Sequence, residues 1–174
     1  MRMRILAAVG VLVMLVGTGW AQEPARGRGG RGGGAAPPAT DLTKATKFSG
    51  VDLAAAIAKL PTDRPNISTQ IFRLTGDKPY TVNVEHRSNM AQAPSVHEAE
   101  AELFYVIDGS ATFTTGGKLP EGGKAIEGGT PMKITKGDFI MVPEGVPHWF
   151  SQIEGTIVLM SIHLPHPVGT TSTR

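Results

Sequence analysis

Two patterns of apolar and polar positions divide the chain. Over residues 49–60 the spacing is helical: Val51, Leu53, Ala54, Ile57 and Leu60 lie mostly along one stripe. Ser49 is placed to cap this helix, Asp52 stands three residues on, and Pro61 stops the run. From residue 69 onward short alternating runs take over. They predict strands over 69–74, 80–87, 102–107, 110–115, 132–135, 138–142, 148–153 and 156–164. Gly-Asp, Asp-Gly, Gly-Gly, Lys-Gly and Glu-Gly pairs separate the runs as turn signals. Many short strands with glycine turns predict an all-β barrel or jelly-roll sandwich, with the helix packed on its outside. The Gly-rich stretch 116–130 is expected to be a surface hairpin or lid, and the absence of an internal repeat predicts a single barrel.

The chain's start follows other rules. Arg2 and Arg4 precede an apolar run from Ile5 to Gly17, and Gly19-Trp20-Ala21 is a small-x-small cleavage signal. That is the layout of a secretory signal peptide over residues 1–21. The run is shorter than the roughly 20 residues a membrane span needs, so no stable membrane insertion is expected after cleavage. Localisation is therefore expected to be periplasmic or secreted, by a Sec-type route. The chain has no cysteine, so neither a lipid attachment site nor disulfides are available and the exported protein rests on its own core. Residues 22–40 are Gly, Arg, Ala and Pro with almost no apolar side chains, and predict a disordered tether. An extension over 41–67 carries the helix, the barrel is expected over 68–166, and a tail closes the chain over 167–174.

Charge sharpens this division. The whole chain has a formal charge of +2, but from residue 41 onward 12 basic side chains face 14 acidic ones. The folded part thus has no basic face for nucleic acid. The basic charge sits in Arg26, Arg28 and Arg31, within the Gly-rich tether.

Two segments carry candidate chemistry. The first has the spacing H-x4-E-x6-G, filled by His97, Glu102 and Gly109. The second has G-x5-P-x-G-x2-H, filled by Gly137, Pro143, Gly145 and His148. Their glycines stand where turns need positive φ, and Pro143 with Gly145 forms a turn that delivers His148 to a strand. Together the segments resemble the two motifs of the cupin superfamily, small antiparallel β-barrels that usually hold one metal. The resemblance implies a single cupin barrel (a double-stranded β-helix) with His97, Glu102 and His148 as ligands to one divalent ion. Imidazole, carboxylate and imidazole suit Fe, Mn, Zn or Ni alike. Two positions depart from the family pattern. Its first motif commonly opens H-x-H, and Ser95 stands where the first of those histidines would be. Its second motif often closes on Asn, where this chain has Gln152.

Other residues complete the expected pocket. Glu102 shares a strand face with Phe104 and Val106. Glu98 and Glu100 read as solvated rim charges. His86 shares its face with Val82 and Val84 and either points inward with them, as a replacement ligand or substrate contact, or is a satisfied histidine at a strand end. Asn83, Glu85 and Arg87 alternate along the same strand as a polar wall, either pocket lining or solvent face. His163 lies on the last strand with Leu159 on its face. His86, Arg87, Ser95 and His163 are accordingly the candidate substrate contacts.

The resemblance implies an enzyme such as a metal-dependent oxygenase or isomerase acting on a small oxygenated organic molecule. The alternative is a barrel that binds a small molecule and catalyses nothing. A homodimer is expected, since the outward positions Leu103, Tyr105 and Ile107 need cover. Mass spectrometry of the exported protein should find its N-terminus at or near Gln22; intact residues 1–21 on a membrane-bound product would refute the export reading.

Overall fold

The computed structural model describes residues 40, 43–73 and 80–165. The expected signal peptide, the tether apart from Thr40, and the tail lie outside the described residues. Among the described residues one helix, α1 (Gly50–Ala58), precedes six strands: β1 (Asn66–Arg73), β2 (Thr81–Ser88), β3 (Glu100–Thr115), β4 (Thr130–Thr135), β5 (Phe139–Val142) and β6 (His148–Pro165). Every pairing is antiparallel, in the order β1-β2-β6-β3-β4, and β5 pairs with β3 beside β4. The all-β fold with a short N-terminal helix is the one the sequence pattern predicts. No helix among the described residues is long and apolar enough to cross a membrane.

The helix begins as its capping residues dictate. The Asp52 amide donates to the Ser49 hydroxyl at 3.1 Å, and the Ser49 amide donates back to the Asp52 carboxylate at 3.3 Å. Its buried stripe is narrower than expected. Leu53 and Ile57 pack against the sheet, whereas Val51 is 80% exposed and Ala54 is also exposed.

Two expected turns are not chain reversals. Runs 102–107 and 110–115 join into the 16-residue β3, and runs 148–153 and 156–164 join into the 18-residue β6. Gly109 and Gly155 do adopt positive φ, 86° and 74°, but they serve paired irregularities where both strands bend together. A glycine signal reports the backbone region it needs, not the direction the chain takes afterwards. The 116–130 stretch is a surface hairpin, closed by reciprocal 2.9 Å bonds between Lys118 and Glu127.

Bending gives the sheet two buried faces. Phe104, Val106 and Phe113 of β3 meet Ile140 and Val142 of β5 and Phe150, Ile157 and Leu159 of β6 inside the barrel. Burying such side chains contributes roughly 1.5–3 kcal/mol each. On the opposite face Leu60, Ile67, Val84 and Val158 form a second core beneath α1, joined by Ile107. The outer face of β5 has no such cover: Phe139 is 67% and Met141 54% exposed, beside Tyr105 and Leu103.

The bend can be tested at its two glycines. A Cβ at Gly109 would stand 2.1 Å from the Thr156 carbonyl oxygen, whereas at Gly155 nothing lies within 4 Å. G155A should therefore cost only about 1 kcal/mol, the strain of positive φ. G109A adds a collision with backbone and should cost about 3 kcal/mol or more, read from urea denaturation midpoints.

Candidate metal centre

The site is assembled around Glu102, which β3 carries on its inner face at 3% exposure. The register sets His163 of β6 directly opposite it on one side and Val142 of β5 on the other. His148 opens β6, and the turn before it is built as its sequence requires. Gly145 has φ 66°, and the Val146 amide donates to the Pro143 carbonyl at 3.2 Å. The same turn holds the first motif. The Gly145 amide donates to the His97 carbonyl at 2.7 Å, and Ser95 and His148 exchange two backbone bonds of 2.9 Å. Three backbone hydrogen bonds thus lock the segment bearing His97 against the segment bearing His148.

All three imidazoles turn Nε2 toward one carboxylate. His97 and His148 each stand 3.2 Å from Glu102 Oε2, and His163 stands 3.3 Å from Oε1. His148 Nδ1 lies 3.3 Å from the Val146 carbonyl, which only accepts, so Nε2 is the nitrogen offered to the pocket. Its ring stacks on Phe113 at 5.9 Å and meets Phe104 edge-on at 6.0 Å. His163 Nδ1 is 2.7 Å from Glu100, whose carboxylate also lies 3.8 Å from His97 Nδ1.

This geometry suits a metal ion. One donor atom each from His97, Glu102 and His148 lies within 4.8 Å of the others, and a second such group joins His97, Glu100 and His163. Ligands bonded to one ion at about 2.0–2.2 Å stand roughly 3–3.5 Å from each other, close to the separations about Glu102. Nitrogen and carboxylate donors suit several first-row ions.

Charge in the cluster is strongly coupled. Burial works to raise the pKa of Glu102, but hydrogen bonds with His148, His163 and His97 outweigh it and hold the carboxyl far below the usual range. For His163, burial works to lower the pKa. Its hydrogen bond and charge interaction with Glu102, then Glu100, prevail and raise it to about 9. In the metal-free protein His163 is therefore an imidazolium at neutral pH.

The expected site residues separate into distinct places. His97, Glu102, His148 and His163 meet. Ser95 is backbone-paired to His148 and offers no nitrogen. Asn83, Glu85 and Arg87 face the interior, settling which way the polar wall points. Arg87 is engaged there, with Nη2 2.7 Å and Nε 3.0 Å from Glu85 and its guanidinium 4.3 Å from the Phe150 ring centroid. The expectation for His86 is corrected: its strand partners are Ile67 and Val158, so it lies in the core beneath α1, on the face away from Glu102. Glu100, with 37% of its side chain exposed, is a rim charge as expected and also touches His163. A separate cleft of about 430 Å³, lined in part by Met90, Pro94, Trp149 and Phe150, includes none of the imidazoles.

The metal-free protein should show this coupling in its stability. A raised His163 pKa stabilises fully below its unfolded value of 6.5, and that contribution is lost as pH rises through about 9. The lowered Glu102 works oppositely: its contribution is whole above 4.5 and lost only as pH falls far below it. Unfolding free energy in chelator should thus drop on the order of 3 kcal/mol between about pH 6 and pH 10, and His163→Gln should flatten that slope.

Comparison with known proteins agrees with this build. Residues 80–164 match the family model described as Cupin domain. Similar solved structures include a cupin superfamily protein of Desulfitobacterium hafniense (13% identity, 64% of this chain and 87% of that one, TM-score 0.47). Another is an uncharacterized conserved protein with a double-stranded β-helix domain from Klebsiella pneumoniae (20%, 72% and 95%, TM-score 0.49). A third is the Cnp3 cupin domain of Schizosaccharomyces pombe (11%, 63% and 72%, TM-score 0.49). At such identities these likenesses say nothing of activity. No curated protein matches the sequence. With the family match running from the start of β2 to residue 164 in β6, and both motif histidines meeting on Glu102, residues 80–164 of this chain carry a cupin domain.

Proposed function

We propose that this chain is an exported metal-dependent enzyme that binds one divalent first-row ion through His97, Glu102 and His148 and acts on a small oxygenated organic molecule. The observation that carries the reading is the convergence of imidazole Nε2 atoms on one buried carboxylate, each about a ligand–ligand spacing away. An ion bound there supplies Lewis-acid or redox chemistry to a ligand oxygen. The protein's own contributions are positional. Glu102 keeps its charge at any ordinary pH, Phe104 and Phe113 hold the His148 ring, and the aromatic core behind it excludes water. His97, with 29% of its side chain exposed, gives the site an opening to solvent. A small molecule entering from that side meets the cluster directly.

Ser95 favours a second reading, in which the barrel captures a small ligand without turning it over. In either reading a second copy of the chain covers Phe139 and Met141, making the working form a homodimer.

Metal analysis of purified mature protein, resupplied with Fe, Mn, Zn or Ni, should find about one ion per chain. His97→Ala, Glu102→Ala and His148→Ala should each cut that content sharply while the fold survives. Oxygen consumption over catechols, keto acids and sugars then separates the two readings: turnover supports the enzyme, and tight binding without turnover supports the capture barrel. A protein that takes up none of these ions stoichiometrically is not a metal centre of this kind.

A further inference from the structure

We infer that His163 is the third imidazole of the metal centre, supplied by the last strand in place of the nitrogen that Ser95 lacks, with Glu100 as the residue that positions it. The inference rests on the proposed metal centre and goes beyond the motif triad. Four observations carry it. His163 is the direct cross-strand partner of Glu102. Its Nε2 stands 3.3 Å from Glu102 Oε1, while His97 and His148 stand 3.2 Å from Oε2, so the three imidazoles surround one carboxylate. Its ring centroid is 5.0 Å from that of His97, closer than the 5.4 Å between His97 and His148. Finally, its other nitrogen is already held by a carboxylate, 2.7 Å from Glu100.

The last arrangement matters most. A histidine that ligates through one nitrogen commonly has the other tied to a carboxylate, which fixes the ring and raises its basicity. Glu100 and Glu102 lie two residues apart on β3 and share a face. One therefore grips His163 at Nδ1 while the other faces its Nε2. Ser95 cannot substitute, since its side chain has no nitrogen, and His86 cannot, since it sits on the far side of the sheet. The ligand set becomes three imidazoles and one carboxylate, drawn from the segment before β3, from β3 itself and from both ends of β6.

Cu(II) titrated into the mature protein gives a direct count. Electron spin-echo envelope modulation should register three imidazoles in the wild type and two in His163→Ala. Zn(II) affinity should fall about ten- to hundredfold in that variant and by about tenfold in Glu100→Gln. Adding Ser95→His to His163→Ala restores a histidine beside His148 and should return both the count and most of the affinity. His163→Gln reads the same count if the alanine variant fails to fold. Two imidazoles in the wild type, with Zn(II) affinity unchanged in either His163 variant, would overturn the inference and leave the three-residue centre standing. Failure of the wild type to bind either ion would instead defeat the metal centre itself.

Discussion

An ionised carboxylate inside a β-barrel is the constraint about which this domain is arranged. Removing a carboxylate from water costs several kcal/mol unless partners compensate, and Glu102 is nearly inaccessible. Among the described residues its compensation comes from imidazoles, brought from the segment before β3 and from both ends of β6. The bends at Gly109 and Gly155 let two long strands curve together, and the reciprocal bonding of Ser95 with His148 holds the two motif segments in register. Neither feature is a local convenience. Both are conditions for burying that charge.

How much of this was legible in the sequence depends on what each signal reports. The two motifs place His97, Glu102 and His148 because their glycines and proline dictate turns, and turns are local. The partnership of His163 with Glu102 is a matter of strand register across some sixty residues, which no local spacing encodes. Parity along the last strand, with His163 on the face of Leu159, was its only sequence signal. Glu100 was legible only as a charge, because nothing local tells whether a neighbouring strand brings it a histidine.

His86 shows a different limit. Apolar alternation at Val82, Val84 and His86 points, on sequence alone, to the barrel interior. Here the opposite face of β2 is also buried, under α1, and it is that face the valines mark. The barrel interior along β2 is polar, with Glu85 accepting from both Arg87 and the Ser161 hydroxyl. When both faces of a sheet are covered, alternation identifies two faces without saying which is the inner one.

The distribution of the site along the chain also sets an order of events. Among the described residues β6 is the last strand and carries both His148 and His163, so Glu102 and His97 are made long before two of the three imidazoles that meet on the carboxylate. Pairing of β3 with β6 closes long loops and belongs to the slow, non-local part of folding. A chain still emerging thus has Glu102 and His97 without the two imidazoles of β6. Any ion selection by the candidate site is thus deferred to whatever compartment the finished chain folds in, where the metals available would count alongside the ligand set.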